Sequence, residues 1–177
     1  MTETIAIKKY VIIVAGGIGT RMNSAIPKQF LKLDSKPVLM HTISKFSESD
    51  PNIEIIVVIS NEHLETWRQL CVEYHFNVQH HIVENGETRF QSVKNGLALV
   101  TENGIVGVHD AARPLVDTKI ISTAYKSAEM YGTAVPAIPL TDSIRQIDST
   151  LSIAVDRSKY CIIQTPQCFT TQIIKKA

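Results

Sequence analysis

Residues 10–22 read YVIIVAGGIGTRM, an apolar run that is followed at once by a glycine-rich loop. The apolar residues 10–14 are typical of a strand that is buried on both faces. The three glycines allow a tight turn in which backbone N–H groups approach an anion without a Cβ in the way. Arg21 and Lys28 add two positive charges to the same loop. The stretch therefore predicts a site for a polyphosphate, and in particular for a nucleoside triphosphate.

Two common phosphate-binding motifs differ from this loop. It is not a Walker loop, because no Gly-Lys-Ser/Thr follows the glycines. It is not a dinucleotide fingerprint, because Met22 stands where the third glycine belongs. The alternative interpretation is a flexible turn from strand to helix in which Arg21 and Lys28 are merely solvated.

Composition limits the class of protein. The 177 residues suit a single domain, and the net charge of +1 provides no broad basic face for nucleic acid or for a membrane surface. Residues 1–9 lack the pattern of a signal peptide, and no apolar stretch approaches the ~20 residues that span a bilayer. The three cysteines are odd in number and share no metal-ligand spacing, which predicts reduced thiols in a cytoplasmic protein.

Strand-like and helix-like segments alternate along most of the chain. This alternation predicts an α/β fold with a doubly wound, mostly parallel Rossmann-like sheet. Phe90 is placed on the inner face of the third helix, with Val93, Leu97 and Val100. The predicted strands are 10–14, 53–59, 78–83 and 105–109, and the predicted helices are 37–48, 62–74, 89–100 and 118–131.

The pattern changes after Thr133. Residues 143–148 and 152–156 predict the two strands of a protruding β-arm, at about 139–160, and a further helix is predicted from Thr170. A two-stranded hairpin alone is marginal in water, so we expect the arm to pack on another surface, such as a second subunit.

A second polar motif, ENGETR at residues 84–89, follows a predicted strand. Gly86 allows a tight turn, and Arg89 and Ser92 share one face of the helix that follows. The motif suits the binding of a base or a phosphate. The alternative is an ordinary capped helix start with surface side chains.

A third motif, HDAARP at residues 109–114, follows the next strand. Asp110 is placed to ligate Mg²⁺ or to accept a hydrogen bond from a substrate hydroxyl. Pro114 favours an extended backbone at Arg113, which would project that side chain into the cleft. Alternatively, Asp110 and Arg113 form a local salt bridge. His109 is interpreted as a core histidine rather than as a base.

A fourth cluster contains Arg157, whose guanidinium has the bidentate geometry that suits a phosphate monoester. The alternative is an ion pair with its neighbour Asp156. The segment QTPQ, residues 164–167, follows shortly afterwards.

The sequence resembles the 2-C-methyl-D-erythritol 4-phosphate cytidylyltransferase family in four ordered segments, which are AGGIGTRM with IPKQF, NGETRFQSVKNGL, HDAARP, and VDRS with QTPQ. The resemblance runs from about residue 9 to Ala177. It implies a nucleotidyltransferase-type sheet in a single domain, 1–177, from which the C-terminal part of the family domain is absent. The implied reaction joins CTP to the 4-phosphate of methylerythritol in non-mevalonate isoprenoid biosynthesis, with Mg²⁺ or another divalent cation.

The resemblance also implies a role for each motif. Arg21 and Lys28 would neutralise the triphosphate, and Arg157 would hold the attacking phosphate with Thr165 beside it. The β-arm would join two subunits, so that Arg157 serves the partner's site. The implied nucleotide-binding residues are Ala15, Gly16, Gly17, Gly86, Glu87, Arg89 and Ser92, and those implied for the methylerythritol and metal region are Asp110 and Arg113.

Three other functions are weighed against this one. A ribitol 5-phosphate cytidylyltransferase would have the same chemistry with another polyol. A non-catalytic nucleotide-binding module would keep the fold without pyrophosphate release. A nicotinamide-dependent dehydrogenase is disfavoured by Met22 and by the lack of a ribose-binding acid after the second strand.

Overall fold

The computed structural model describes residues 7–17 and 26–177. In chain order the strands are β1 (Lys8–Val14), β2 (Lys32–Leu33), β3 (Lys36–Pro37), β4 (Glu54–Ile59), β5 (His81–Glu84), β6 (Gly104–Asp110), β7 (Thr133–Ala134), β8 (Ala137–Pro139), β9 (Arg145–Ile147), β10 (Ser152–Ala154), β11 (Cys161–Ile163) and β12 (Gln167–Thr170). The α-helices are α1 (Val38–Ser49), α2 (Asn61–Glu73), α3 (Arg89–Leu97), α4 (Thr118–Tyr131) and α5 (Thr171–Ile174), and two 3₁₀ turns lie at Lys28–Phe30 and Arg157–Lys159.

Within the described ranges, the central sheet has six strands in the order β5-β4-β1-β6-β12-β7. β1 pairs in parallel with β4 and β6, and β4 pairs in parallel with β5. The predicted mostly parallel sheet is therefore confirmed. The antiparallel strand β12, between β6 and β7, is not predicted from the sequence. Its four residues, QCFT, form no long apolar run, and Cys168 is buried by the core that α4 packs over the sheet.

Helices cover both faces of the sheet, as predicted for a doubly wound fold. Val11 and Ile13 of β1 belong to a core shared with α1, α2 and α4, whereas Tyr10 and Ile12 belong to a core that includes side chains of α3 and α5. All four side chains are fully buried. The alternation follows from the two-residue period of a strand.

Most predicted element bounds lie within two residues of the structure, and two ends differ by three residues. α3 ends at Leu97, because the N–H groups of Leu99 and Val100 bond to carbonyls three residues back and tighten the chain. β5 begins only at His81, because residues 78–80 pack over a tryptophan instead of pairing. There the ring of His80 bonds to the carbonyl of Val78 and accepts a hydrogen bond from the indole of Trp67.

The prediction that Phe90 lies on the inner face of α3 is wrong. Its side chain is 64% exposed. α3 instead turns Ser92 and Gly96 inward, four residues apart, and Gly96 brings the helix close to β1. A Cβ at Gly96 would lie 2.7 Å from Cγ2 of Ile12, so the helix can approach this closely only without one.

The predicted β-arm is confirmed. β9 and β10 form an antiparallel hairpin, and β8 and β11 form a second antiparallel pair nearer the sheet. Every residue in these four strands is exposed.

No helix within residues 7–17 and 26–177 has the length and apolar character needed to cross a bilayer. The three cysteines are free thiols.

Replacing Gly96 with alanine tests the contact between α3 and β1. Alanine favours a helix by about 1 kcal/mol over glycine, but the crowding with Ile12 is expected to outweigh this and to lower the free energy of unfolding by about 1–3 kcal/mol. Urea unfolding measures the change. Gly96→Ala should cost less in an Ile12→Ala background, which lacks the crowded atoms. An equal cost in both backgrounds would contradict the assignment.

Candidate active site

The predicted glycine loop and the HDAARP motif meet at the carboxyl edge of the sheet. Val14 at the end of β1 pairs with Asp110 at the end of β6, and its carbonyl accepts a hydrogen bond from the N–H of Ala111 at 3.1 Å. A cavity of about 170 Å³ opens there. Its described lining is Val14, Ala15, Gly17, Lys28, Gln29, Asp110, Ala111 and Ala112. The structure thus brings Ala15, Gly17, Lys28 and Asp110 to one place.

Ala15 and Gly16 are held tightly. The Ala15 N–H donates to the carbonyl of Val58 at 2.7 Å, and the Ala15 carbonyl accepts from the side-chain amide of Gln29 at 2.6 Å. A Cβ at Gly16 would lie 2.7 Å from Cβ of Asn85, so the loop after β5 covers this glycine. Gly17 has no described atom within 4 Å of the place where a Cβ would be. Among the described residues, the backbone is therefore crowded at Gly16 and not at Gly17.

The loop after β5 is folded by its own side chains. Ser92 is 3% exposed, and its hydroxyl donates to the carbonyl of Thr88 at 2.9 Å and accepts from the N–H of Gly86 at 3.1 Å. Thr88 and Gln91 form a capping box at the start of α3. The capped helix start of the alternative interpretation is therefore present, but Ser92 is not a surface side chain. Its hydroxyl supports the Gly86 turn from within, while Glu87 is exposed.

Asp110 joins two arginines that the sequence places far apart. One carboxylate oxygen accepts from Nη2 of Arg89 at 3.1 Å, and the other accepts from Nε of Arg113 at 3.0 Å. Arg113 also donates to the side chain of Gln164. The local salt bridge between Asp110 and Arg113 is thus present, and Arg89 extends it across the edge of the sheet. Burial opposes ionisation of Asp110, but the hydrogen bonds from both arginines outweigh it and lower the pKa of the carboxyl.

His109 is a core histidine, as interpreted from the sequence. Its side chain is fully buried, and its ring packs edge-on against Phe46 at a centroid distance of 4.9 Å. Burial lowers its pKa to about 4, so the ring is neutral near pH 7. Nε2 lies 3.2 Å from the carbonyl of Arg113, which only accepts, so Nε2 carries the proton. Nδ1 then accepts from the hydroxyl of Thr165 at 2.9 Å.

Thr165 therefore connects the strand β6 to the segment before β12. Its oxygen also lies 3.5 Å from the N–H of Asp110, so the hydroxyl sits beneath the carboxylate-bearing residue. At 7% exposure, it offers little surface to a ligand in this state.

Arg157 lies on the β-arm and is exposed. Its guanidinium donates to the carbonyl of Thr141, while the carboxylate of Asp156 accepts from the N–H of Ser158 at 3.1 Å. The alternative of an ion pair with Asp156 is not what the structure has. The phosphate-binding role of Arg157 stays a prediction, and Arg21 lies outside the described residues.

Three polar side chains at this edge are not singled out by the sequence. Gln29 holds Ala15, Asn85 covers Gly16, and Gln164 holds Arg113. Each lies next to a residue that the motifs do single out, and this neighbouring position is the signal that could have found them.

In the described part of the chain, no group of three or more His, Cys, Asp or Glu side chains is arranged to hold a metal ion. Asp110 is the candidate ligand that the sequence names. Each of its oxygens accepts one guanidinium bond, and a carboxylate has about four lone-pair sites, so it retains capacity for a cation that is held mainly by substrate oxygens.

Comparisons with known proteins identify the family of the chain. The chain matches the IspD family, described as 2-C-methyl-D-erythritol 4-phosphate cytidylyltransferase, over residues 9–177. It is 50% identical over 170 residues to the protein of that name from Azobacteroides pseudotrichonymphae, a match that covers 96% of this chain and 77% of that protein. The corresponding protein from Bacteroides thetaiotaomicron is 46% identical over 170 residues, covering 96% of this chain and 78% of that protein.

A solved structure shows the same likeness in three dimensions. The crystal structure of Francisella tularensis 2-C-methyl-D-erythritol 4-phosphate cytidylyltransferase superposes with a TM-score of 0.73 and 32% sequence identity, covering 95% of this chain and 75% of that chain. The resemblance drawn from the four sequence motifs is thereby confirmed. The chain belongs to the 2-C-methyl-D-erythritol 4-phosphate cytidylyltransferase family.

Proposed function

We propose that this chain transfers the cytidylyl group of CTP to 2-C-methyl-D-erythritol 4-phosphate and releases pyrophosphate, a step of isoprenoid biosynthesis. Family membership supports the activity and the substrates. The observation that carries the proposal is the cavity in which Lys28, the backbone of Ala15 and Gly17, and Asp110 converge.

The chemistry is a displacement at phosphorus. An oxygen of the 4-phosphate forms a bond to the α-phosphorus of CTP, and the bond from that phosphorus to the β-phosphate oxygen breaks. The attacking phosphate has no proton to lose, so the reaction needs positioning and charge neutralisation rather than a base. The neutral, buried His109 agrees with a site that lacks a general base.

We assign the residues at the carboxyl edge of the sheet to different parts of the substrates. Ala15, Gly16 and Gly17 lie along the nucleotide, and Lys28 with Arg21 neutralises the charge that grows on the phosphates in the transition state. The loop with Gly86, Glu87, Arg89 and Ser92 receives cytosine. In that loop Ser92 acts by fixing Gly86, since its hydroxyl is already bonded to the turn.

The second substrate occupies the other end of the site. Asp110 and Arg113 bind the hydroxyls of methylerythritol, and Thr165 supports them from below. Mg²⁺ or another divalent cation would be held by Asp110 together with substrate oxygens, and when bound it would neutralise part of the triphosphate charge. The hydrogen bond that Arg113 donates to the side chain of Gln164 orients the arginine toward this end of the site.

Arg157 binds the attacking phosphate, and we place it in the site of a second subunit. The β-arm exposes apolar side chains in a single chain, with Ile147 at 81%, Leu151 at 64% and Ile153 at 56% exposure. Apolar surface of this kind is stabilised by burial against another chain. A homodimer joined through the arm, located in the cytoplasm, agrees with these exposed side chains and with the three free thiols.

The test of function is pyrophosphate release from CTP and Mg²⁺, with methylerythritol 4-phosphate and ribitol 5-phosphate in parallel. Release with the first substrate alone is expected. Release with the ribitol phosphate alone would change the substrate to another polyol. No release with either, from folded protein, would leave a nucleotide-binding module and contradict the proposal.

Lys28→Ala is expected to lower turnover by about 10²–10³, because a cation that acts mainly in the transition state is lost. Arg21→Ala should have an effect of similar size. The rate of pyrophosphate release at saturating substrates measures both. Lys45→Ala, which removes an exposed lysine of α1 paired with Glu48, is the control and should keep full turnover. Normal turnover in Lys28→Ala would remove Lys28 from the mechanism.

Gly16→Ala is expected to raise the KM for CTP about tenfold, because the new Cβ displaces the loop that carries Asn85. Asn85→Gly removes the crowded atoms and should restore much of the loss in the double variant. The same Asn85→Gly change should not rescue Gly17→Ala, whose Cβ meets no described atom. Equal rescue of both variants would show that the Gly16 contact is not the cause.

Subunit mixing tests whether Arg157 acts across a dimer. Arg157→Ala and Lys28→Ala chains are each expected to be nearly inactive, whereas an equal mixture should regain about a quarter of wild-type activity, since half of the dimers are hybrids with one complete site. If Arg157 acts within its own chain, the mixture stays inactive. Ile153→Asp should lower both the fraction of dimer and the turnover, while Val72→Asp on α2, an apolar position that is even more exposed, should change neither.

A further inference from the structure

A buried amide joins the two halves of the phosphate-binding region. Gln29 is 3% exposed, and its Nε2 donates to the carbonyl of Ala15 at 2.6 Å, across 14 residues of sequence. On the other side of the same residue, the Ala15 N–H donates to Val58 of β4 at 2.7 Å. The backbone of Ala15 is thus fixed to the sheet by its N–H and to the Lys28–Phe30 turn by its carbonyl.

The opposite side of that turn is fixed by an aromatic contact. The Phe30 ring contacts both His63 and Trp67 of α2, at centroid distances of 5.7 and 6.4 Å. The Phe30 N–H also closes the turn on the carbonyl of Pro27 at 2.9 Å. Lys28 begins this turn and lines the cavity, so the position of its backbone depends on Gln29 toward β1 and on Phe30 toward α2.

We propose that Gln29 is a positioning residue for the transfer reaction, and that its amide sets the place of Lys28 relative to the Ala15–Gly17 backbone. The proposal rests on the proposed function. Gln29 borders the cavity, but its side chain is 3% exposed and its Nε2 is bonded to Ala15, so it acts through Lys28 rather than on the phosphates. The lysine chain is long and flexible, so the point where it is anchored decides how often its ammonium meets the charge of the transition state.

Gln29→Met keeps the length of the side chain and removes the donor. The Ala15 carbonyl then loses its partner, and the Lys28–Phe30 turn is free to shift. We expect kcat to fall about ten- to a hundredfold, while the KM values for both substrates stay within about threefold, because the ground-state contacts remain.

A double-mutant cycle with Lys28→Ala separates positioning from general destabilisation. If Gln29 acts through Lys28, Gln29→Met should cause no further loss of kcat once Lys28 is alanine. The matched control is Tyr125→Phe, which removes a buried hydrogen bond of 2.6 Å to the carbonyl of Tyr10 in β1. Its effect on kcat, whatever its size, should be the same in both backgrounds.

Folding is checked by the emission of Trp67, the single tryptophan of the chain, which is fully buried beside Phe30. If Gln29→Met does not fold, Gln29→Asn, which keeps the amide but is too short to reach Ala15, takes its place. Failure of both to fold would give Gln29 a purely structural role and overturn the proposal.

The remaining outcomes distinguish the two proposals. Wild-type protein that releases no pyrophosphate contradicts the proposed function. With active wild-type protein, an unchanged kcat in Gln29→Met, or an equal loss in both Lys28 backgrounds, overturns the positioning role alone. Full turnover in Lys28→Ala overturns it as well, since there is then no group for Gln29 to position.

Discussion

The parallel pairing of β1 with both of its neighbours sets where the loops around the candidate site begin. Val14 pairs with Val58 on one side and with Asp110 on the other, so the loops that follow β1, β4 and β6 begin at the same level. Side chains of β1 are fully buried on both faces of the sheet. A slip of one residue would exchange the two faces and is therefore strongly disfavoured. This fixed register places Ala15 beside Asp110.

At this edge one carboxylate pairs with two guanidinium groups before any ligand binds. Asp110 accepts one hydrogen bond from each of two guanidinium groups, and its lowered pKa keeps it ionised near neutral pH. The carboxylate thereby orders Arg89 and Arg113, whose long side chains would otherwise lose more conformational freedom when substrate arrives. Directly beneath, His109 stays neutral and adds no charge. Preorganisation of this kind is what a reaction without a base requires.

The sequence predicts most of the fold because buried parallel strands are apolar runs and because polar motifs follow them. It predicts the glycine loop, Lys28 and Asp110 at one edge for the same reason, since parallel strands share their carboxyl ends. The sequence-based prediction is wrong for Phe90, because the face that α3 turns toward the sheet depends on the close contact between Gly96 and Ile12. It fails for β12, which has no apolar run and is specified only by its neighbours. The local periodicity of the sequence reveals neither the contact between Gly96 and Ile12 nor the pairing of β12.

Side-chain hydrogen bonds to backbone explain how loops can hold a precise site. Six polar side chains are buried in the described part of the chain, and all but Thr171 lie at the carboxyl edge. Gln29, Thr42 and Ser92 bond to the backbone of Ala15, Ala111 and Gly86, while His109 and Thr165 bond to each other and reach the backbone of Arg113 and Asp110. Burying a polar group costs free energy unless it is bonded, and every buried side-chain N and O atom of the described residues has a partner. Apolar side chains could fill the same buried positions, but they could not bond to the backbone. The polar side chains therefore act by fixing each loop in one position. Most buried polar side chains of the described residues therefore lie under the loops of the candidate site, and the core elsewhere is mainly apolar, with the Tyr125 hydroxyl bonded to the carbonyl of Tyr10.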